Sequence, residues 1–173
     1  MDEAAFGGAR GVVNPQPCAF EKALLARCCA CSLAERRNIA EREAVACGVP
    51  GARERCVALR GLLRQKSAFA LKLTQAEGQL PHALEMKLQC GGLQGVRQAA
   101  AAVAVAAAPG AEDNASTDPQ QLSRQAGTRP AVDDVHELVR ACAEKFGGLE
   151  NLPYSTIVQS VAAWQIRRRS SKT

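Results

Sequence analysis

Apolar side chains recur at helical spacing through the first part of the chain. Phe20, Leu24 and Cys28 are each four residues apart, and this spacing is typical of one face of an amphipathic α-helix. The opposite face carries a dense mixture of acidic and basic residues, which is typical of a solvated helix surface. The pattern predicts a first helix over residues 18–46, which the segment GVPG at 48–51 ends.

Two further helices are predicted before the middle of the chain. A leucine-rich stripe predicts a second helix over residues 50–73, with Pro50 in its first turn, where proline is tolerated. A third helix is predicted over residues 81–98. Within it, residues 84–90 alternate between apolar and polar side chains, which is also the period of a half-buried strand. The residue types of this segment favour the helix.

A separate pair of helices is predicted near the end of the chain. The hydrophobic pattern indicates helices over residues 132–146 and 153–168, and residues 109–130 before them lack any such periodicity. That segment is rich in Gly, Pro, Ser, Asp and Gln, as flexible linkers are. The predicted last helix has an apolar face for a partner protein, a second copy of the chain or the preceding helices, formed by Tyr154, Ile157, Val161 and Trp164.

These elements predict an all-α fold. Aromatic residues are only 3% of the sequence, so Leu, Val, Ala and Cys must build the core, and such small side chains suit closely packed helices. We expect an antiparallel three-helix bundle with an appended helical pair. The predicted organisation is a flexible arm, a helical core, a disordered linker and a C-terminal hairpin, over residues 1–17, 18–108, 109–130 and 131–173.

Charge and hydropathy narrow the range of partners. The formal net charge is +5, but much of it lies in the tail that contains Arg167, Arg168 and Arg169. The body is nearly neutral and has no basic groove with interleaved aromatic residues, which argues against nucleic-acid binding. The sequence has neither a secretory signal nor an apolar run long enough to span a membrane, so we predict a cytoplasmic protein.

The eight cysteines are the most distinctive chemical feature. Cys28 and Cys31 would lie one turn apart on the first helix, and antiparallel packing of the three helices would bring Cys90 to the same height. Soft thiolates favour zinc or iron–sulfur clusters. We therefore predict a metal site at Cys28, Cys31 and Cys90, with a fourth ligand from Cys18, Cys142 or an exogenous group.

Distance along the predicted helix places Cys47 away from this site. An unbroken helix would separate Cys31 from Cys47 by roughly 24 Å, which excludes a shared metal ion. Cys47 and Cys56 flank the GVPG turn. They are predicted to be a second thiol pair, or a disulfide if the turn is irregular.

No catalytic motif accompanies the cysteines. The chain has two histidines and no Ser/His/Asp set, phosphate-binding loop or metalloprotease motif. The sequence therefore predicts a non-enzymatic protein that binds zinc or an iron–sulfur cluster, with an accessory role in metal handling or redox chemistry. The alternative is a helical interaction module whose cysteines only pack in its core.

Overall fold

The computed structural model describes residues 11–39, 41–73, 78–106 and 131–165. Within these ranges the fold is mostly helical but also contains a two-stranded antiparallel sheet. In chain order the elements are α1 (Glu21–Leu25), β1 (Ala34–Ile39), β2 (Arg42–Cys47), α2 (Pro50–Ser67), α3 (His82–Met86), a π-helix (Lys87–Gly91), α4 (Gly92–Ala106), α5 (Val135–Phe146), a 3₁₀ turn (Leu149–Asn151) and α6 (Tyr154–Ala163).

The prediction of an all-α fold is wrong because the first predicted helix does not form as one element. Helix α1 ends after five residues, and Arg27 follows it in the left-handed backbone conformation with φ 58°. The chain then forms β1 and β2, and Ile39 pairs with Arg42, so the chain reverses direction between these residues. The helix-favouring composition is overridden by burial of Val45 and its neighbours in β2 against the core.

The segment before α1 lies along the free edge of β2. The backbone N–H of Cys18 donates to the Val45 carbonyl at 2.8 Å, and the N–H of Cys47 donates to the Gln16 carbonyl at 3.1 Å. The side-chain amide of Asn14 is buried and donates to the Val45 carbonyl at 3.2 Å. This end of the predicted flexible arm is therefore fixed to the sheet.

The remaining helices agree better with the predicted pattern. Helix α2 begins at Pro50, as predicted, but ends at Ser67. The segment 84–90 is helical and not extended, since α3, the π-helix and α4 follow one another without a break. A Cβ atom at Gly91 would lie 2.9 Å from the Val161 Cα atom. Glycine therefore lets α6 pack directly against the π-helix.

Helices α5 and α6 form the predicted pair, with shorter bounds. The Asp134 carboxylate caps α5 by accepting a hydrogen bond of 2.9 Å from the His136 backbone N–H. Gly147, with φ 67°, ends α5 in the left-handed conformation. Helix α6 packs on α4, the π-helix and α2, so the pair is part of the main core.

The core is built largely from aliphatic side chains of all these elements. Its largest fully buried residues include Phe20, Leu59, Leu63, Leu88, Leu93 and Ile157. In the part of the chain that the structure describes, no helix is both long and apolar enough to cross a membrane. Residues 1–10 of the predicted arm, the predicted linker 109–130 and the basic tail at Arg167, Arg168 and Arg169 lie outside the described residues.

Candidate functional site

Cys28 and Cys90 form a disulfide. Their Cα atoms are 5.8 Å apart, and 62 positions separate them in sequence. The bond joins the segment after α1 to the π-helix, so the structure does bring these two predicted ligands together. While the bond is intact, however, neither sulfur is available as a thiolate, and Cys31 is a separate free thiol.

The segment that carries Cys31 is held by the start of the C-terminal pair. The N–H of Ala30 donates to the Val132 carbonyl at 2.9 Å, and the N–H of Val135 returns a bond of 2.9 Å to the Ala30 carbonyl. The N–H of Ser32 donates to a carboxylate oxygen of Asp134 at 3.3 Å. These bonds fix the backbone on both sides of Cys31.

Four free cysteines from four different segments converge at one end of the sheet. We call these four, Cys18, Cys31, Cys47 and Cys56, the thiol cluster. Cys18 lies opposite Val45 on β2, and Cys47 is two residues further along the same strand. Because side chains alternate along a strand, Cys18 and Cys47 lie on the same face as the buried Val45.

The other two members reach this end from the segments flanking the sheet. Ala34 pairs with Cys47 across the sheet and donates its backbone N–H to the Cys31 carbonyl at 3.2 Å. Cys56 is buried on α2, one turn after Arg53, whose Nε donates to the Pro17 carbonyl at 3.0 Å. That bond ties the start of α2 to the residue next to Cys18.

Burial keeps three of the cluster thiols, those of Cys18, Cys31 and Cys56, protonated near neutral pH by raising their pKa. Burial, opposed in part by a backbone hydrogen bond, raises the pKa of Cys18 to about 11. Burial also raises the pKa of Cys56 to about 12, with further contributions from negative charge on the other three cluster sulfurs. The pKa of Cys31 is raised as well, mainly by burial.

Two more free thiols lie in the core. Burial raises the pKa of Cys29 to about 12, and charge on Cys18, Cys31 and Cys56 adds to the effect, so Cys29 lies beside the thiol cluster. Cys142, a predicted fourth ligand, is fully buried on α5. Its pKa is raised by burial.

The cluster is not arranged around a single point. Among the described residues, no three His, Cys, Asp or Glu side chains could hold a metal ion as they stand. The Cys47 thiol instead donates to the Val49 carbonyl at 3.4 Å. Metal binding would therefore require the cysteine side chains to turn toward one another. Cys47 and Cys56 are both free, so the predicted alternative of a disulfide between them is not formed.

The predicted partner-binding face is occupied by the chain itself. Ile157 and Val161 are fully buried, Tyr154 is buried, and Trp164 is partly buried against the core. The Tyr154 hydroxyl donates to the Leu149 carbonyl at 2.7 Å. In this conformation Tyr154, Ile157 and Val161 pack within the molecule, and only Trp164 of this face stays partly exposed.

The sequence does offer Cys18 as a candidate fourth ligand. It does not predict the approach of Cys47 to Cys31, because that approach depends on the hairpin. One feature of the sequence does point to a grouping of thiols, since six of the eight cysteines fall within residues 18–56. Comparison with known proteins finds no family model that matches the chain, and no curated protein or solved structure with significant similarity to it.

Proposed function

We propose that this chain is a non-catalytic protein that binds a soft metal centre, zinc or an iron–sulfur cluster, through Cys18, Cys31, Cys47 and Cys56. One observation carries the proposal, which is the convergence of these four thiols from four segments at one end of the sheet. The role is an accessory one, in holding or transferring the metal or cluster.

The chemistry of the thiol cluster suits such a centre. Four thiolates complete the tetrahedral shell of zinc and also match the ligand number of an iron–sulfur cluster. Because burial raises the pKa of Cys18 and Cys56, a metal must displace protons from the thiols, so binding is expected to weaken as pH falls. Four protein ligands leave no open position for substrate, which favours a non-catalytic role.

This ligand set replaces the one predicted from the spacing of the cysteines. Cys31 is common to both sets, whereas Cys28 and Cys90 are bonded to each other. We propose a cytoplasmic location, since a reducing compartment keeps the cluster thiols available for metal. There the Cys28–Cys90 bond would be in exchange with its dithiol form.

The interaction-module alternative has less support. It relied on the apolar face around Ile157 and Val161, and that face is buried within the chain. The metal proposal does not depend on that face.

Competition with a chromophoric chelator for Zn²⁺ tests the proposal on the full chain. We expect the wild-type protein to bind about one zinc ion, and the double variant Cys47→Ser/Cys56→Ser to lose at least tenfold in affinity. The matched control is Cys142→Ser, which removes a buried thiol outside the cluster and should keep the affinity. Equal affinity of all three proteins, or no binding by the wild type, would rule out the proposed site.

The identity of the centre is tested by anaerobic reconstitution with iron and sulfide. Visible absorption that is lost with the same double variant would favour an iron–sulfur cluster. Zinc retained through purification, with no iron uptake, would favour a mononuclear site.

A further inference from the structure

A polar cleft of about 400 Å³ opens on the side of the molecule next to Cys18. It lies between α1, α2 and the segment that leads into α3. Its volume is in the range of small-molecule sites. The cleft is lined by charged side chains from each of these segments, and the metal proposal does not account for them.

The two acidic groups of the cleft are already engaged. Glu85 has 4% of its side chain exposed, and its Oε1 accepts from Arg60 Nε and from Gln89 Nε2, each at 2.8 Å. Glu21 Oε1 accepts from the backbone N–H of Val45 at 2.9 Å. Neither carboxylate is therefore an open site for a cation.

Two of the basic groups, by contrast, lack a carboxylate partner among the described residues. Arg64 donates from Nη1 to the Gly78 carbonyl at 2.7 Å, while its Nε is buried and has no hydrogen-bond partner among the described residues. A buried donor without a partner is destabilising, and a ligand atom or a water is the usual remedy. Lys22 also lines the cleft and makes no ion pair with any described residue.

The net charge of the residues that line the cleft favours a ligand with a single negative charge. Among the described lining residues, three basic side chains, Lys22, Arg60 and Arg64, face two acidic ones, so these residues carry one excess positive charge. The planar guanidinium fork of arginine matches a carboxylate. A phosphate dianion carries two negative charges, which is more than the one net positive charge of the lining. It would also lie close to the two carboxylates. Ala19 and Leu80 add apolar surface to the same lining.

We propose that this cleft binds a small organic monoanion, whose carboxylate is held by Arg64 and Lys22 and whose apolar part lies against Leu80. The site is separate from the metal proposal, although Cys18 lines the cleft and also belongs to the thiol cluster. A ligand in the cleft would thus lie next to one of the proposed metal ligands.

The test is a titration of the ¹⁵N-labelled, metal-free full chain with sodium butyrate, followed by amide chemical shifts, with sodium chloride as the ionic-strength control. We expect saturable shifts at Cys18, Gly78 and Leu80. The variant Arg64→Gln should weaken binding about tenfold, as expected for loss of a charged hydrogen-bond donor.

Because Arg64 also anchors Gly78, Lys22→Gln serves as a second variant that breaks no described contact, and it too should weaken binding. The control is Arg97→Gln, an exposed site on α4 outside the cleft, which should bind butyrate as the wild type does. The absence of saturable shifts, equal affinity in all variants, or tighter binding of inorganic phosphate than of butyrate would overturn the proposal. Since no metal is used, the result is independent of whether the thiol cluster binds one.

Discussion

Among single residues, the buried cysteines have the property that bears most directly on the proposed metal site, which is the protonation of their thiols. The pKa of Cys18 is raised from 9.0 to about 11, and the pKa values of Cys29 and Cys56 are raised to about 12, in each case mainly by burial. These thiols are weak nucleophiles at neutral pH, because the reactive species is the thiolate. This argues against nucleophilic chemistry at these sulfurs, and the proposed metal would have to displace their protons in order to bind.

The raised pKa values predict that the free energy of unfolding falls at alkaline pH. A thiol is neutral when protonated, so above pH 9 the unfolded chain loses its thiol protons while the folded chain retains them. Stability should be fully present below about pH 9 and should decline as pH rises toward 11. Urea unfolding of metal-free protein, followed by circular dichroism between pH 8 and pH 11, measures this directly. A variant with Cys29→Ala should show a shallower decline of the free energy of unfolding with pH. A wild-type free energy that does not change between pH 8 and pH 11 would contradict the raised pKa values of the buried thiols.

At the scale of elements, close contact between α6 and the preceding helices depends on glycine. A Cβ atom at Gly91 would lie 2.9 Å from the Ser160 carbonyl oxygen and from the Val161 Cα atom. These are backbone atoms, so they cannot move aside without shifting α6 as a whole. At Gly61, in the exposed interior of α2, an added Cβ would meet nothing within 4 Å.

The two glycines should therefore respond in opposite directions to the same substitution. Gly91→Ala should destabilise the fold by about 1–3 kcal/mol through overpacking. Gly61→Ala should stabilise it by about 0.5–1 kcal/mol, since alanine loses less backbone entropy than glycine in a helix. Thermal and urea unfolding of both variants measures the two changes in the free energy of unfolding. A stabilised Gly91→Ala protein would show that α6 does not pack on the π-helix as described.

The elements also show what the sequence could and could not predict. Helical periodicity predicted helices where α2, the run from α3 to α4, α5 and α6 occur, because each has an apolar stripe. The ends were less well placed, since α2 ends at Ser67 and not at 73, and α4 continues to Ala106 and not to 98. The periodicity failed between residues 26 and 47, where a composition of Ala, Glu and Arg favours helix locally, while the left-handed Arg27 and the burial of Val45 favour a hairpin. The assumed helix put Cys31 and Cys47 far apart, so the thiol cluster could not be predicted. Folding of the hairpin is what brings them together.

At the scale of the whole molecule, the Cys28–Cys90 disulfide joins the part that carries the sheet to the helical core. It closes a loop of 62 residues, and the chain-entropy model assigns to such a loop a stabilisation of about 4 kcal/mol. The double variant Cys28→Ser/Cys90→Ser should lose stability of that order in thermal unfolding. A reductant should lower the melting temperature of the wild type but leave that of the variant unchanged. Equal sensitivity of both proteins to reductant would show that this bond does not contribute.

If four thiols from separate segments form one metal site, X-ray absorption spectroscopy of the metal-loaded full chain should detect their sulfur atoms around the metal. We expect a first shell made of sulfur, with about four scatterers near 2.3 Å if the metal is zinc. A first shell of nitrogen or oxygen, or a sulfur shell that is unchanged when Cys47 and Cys56 are both replaced by serine, would contradict it.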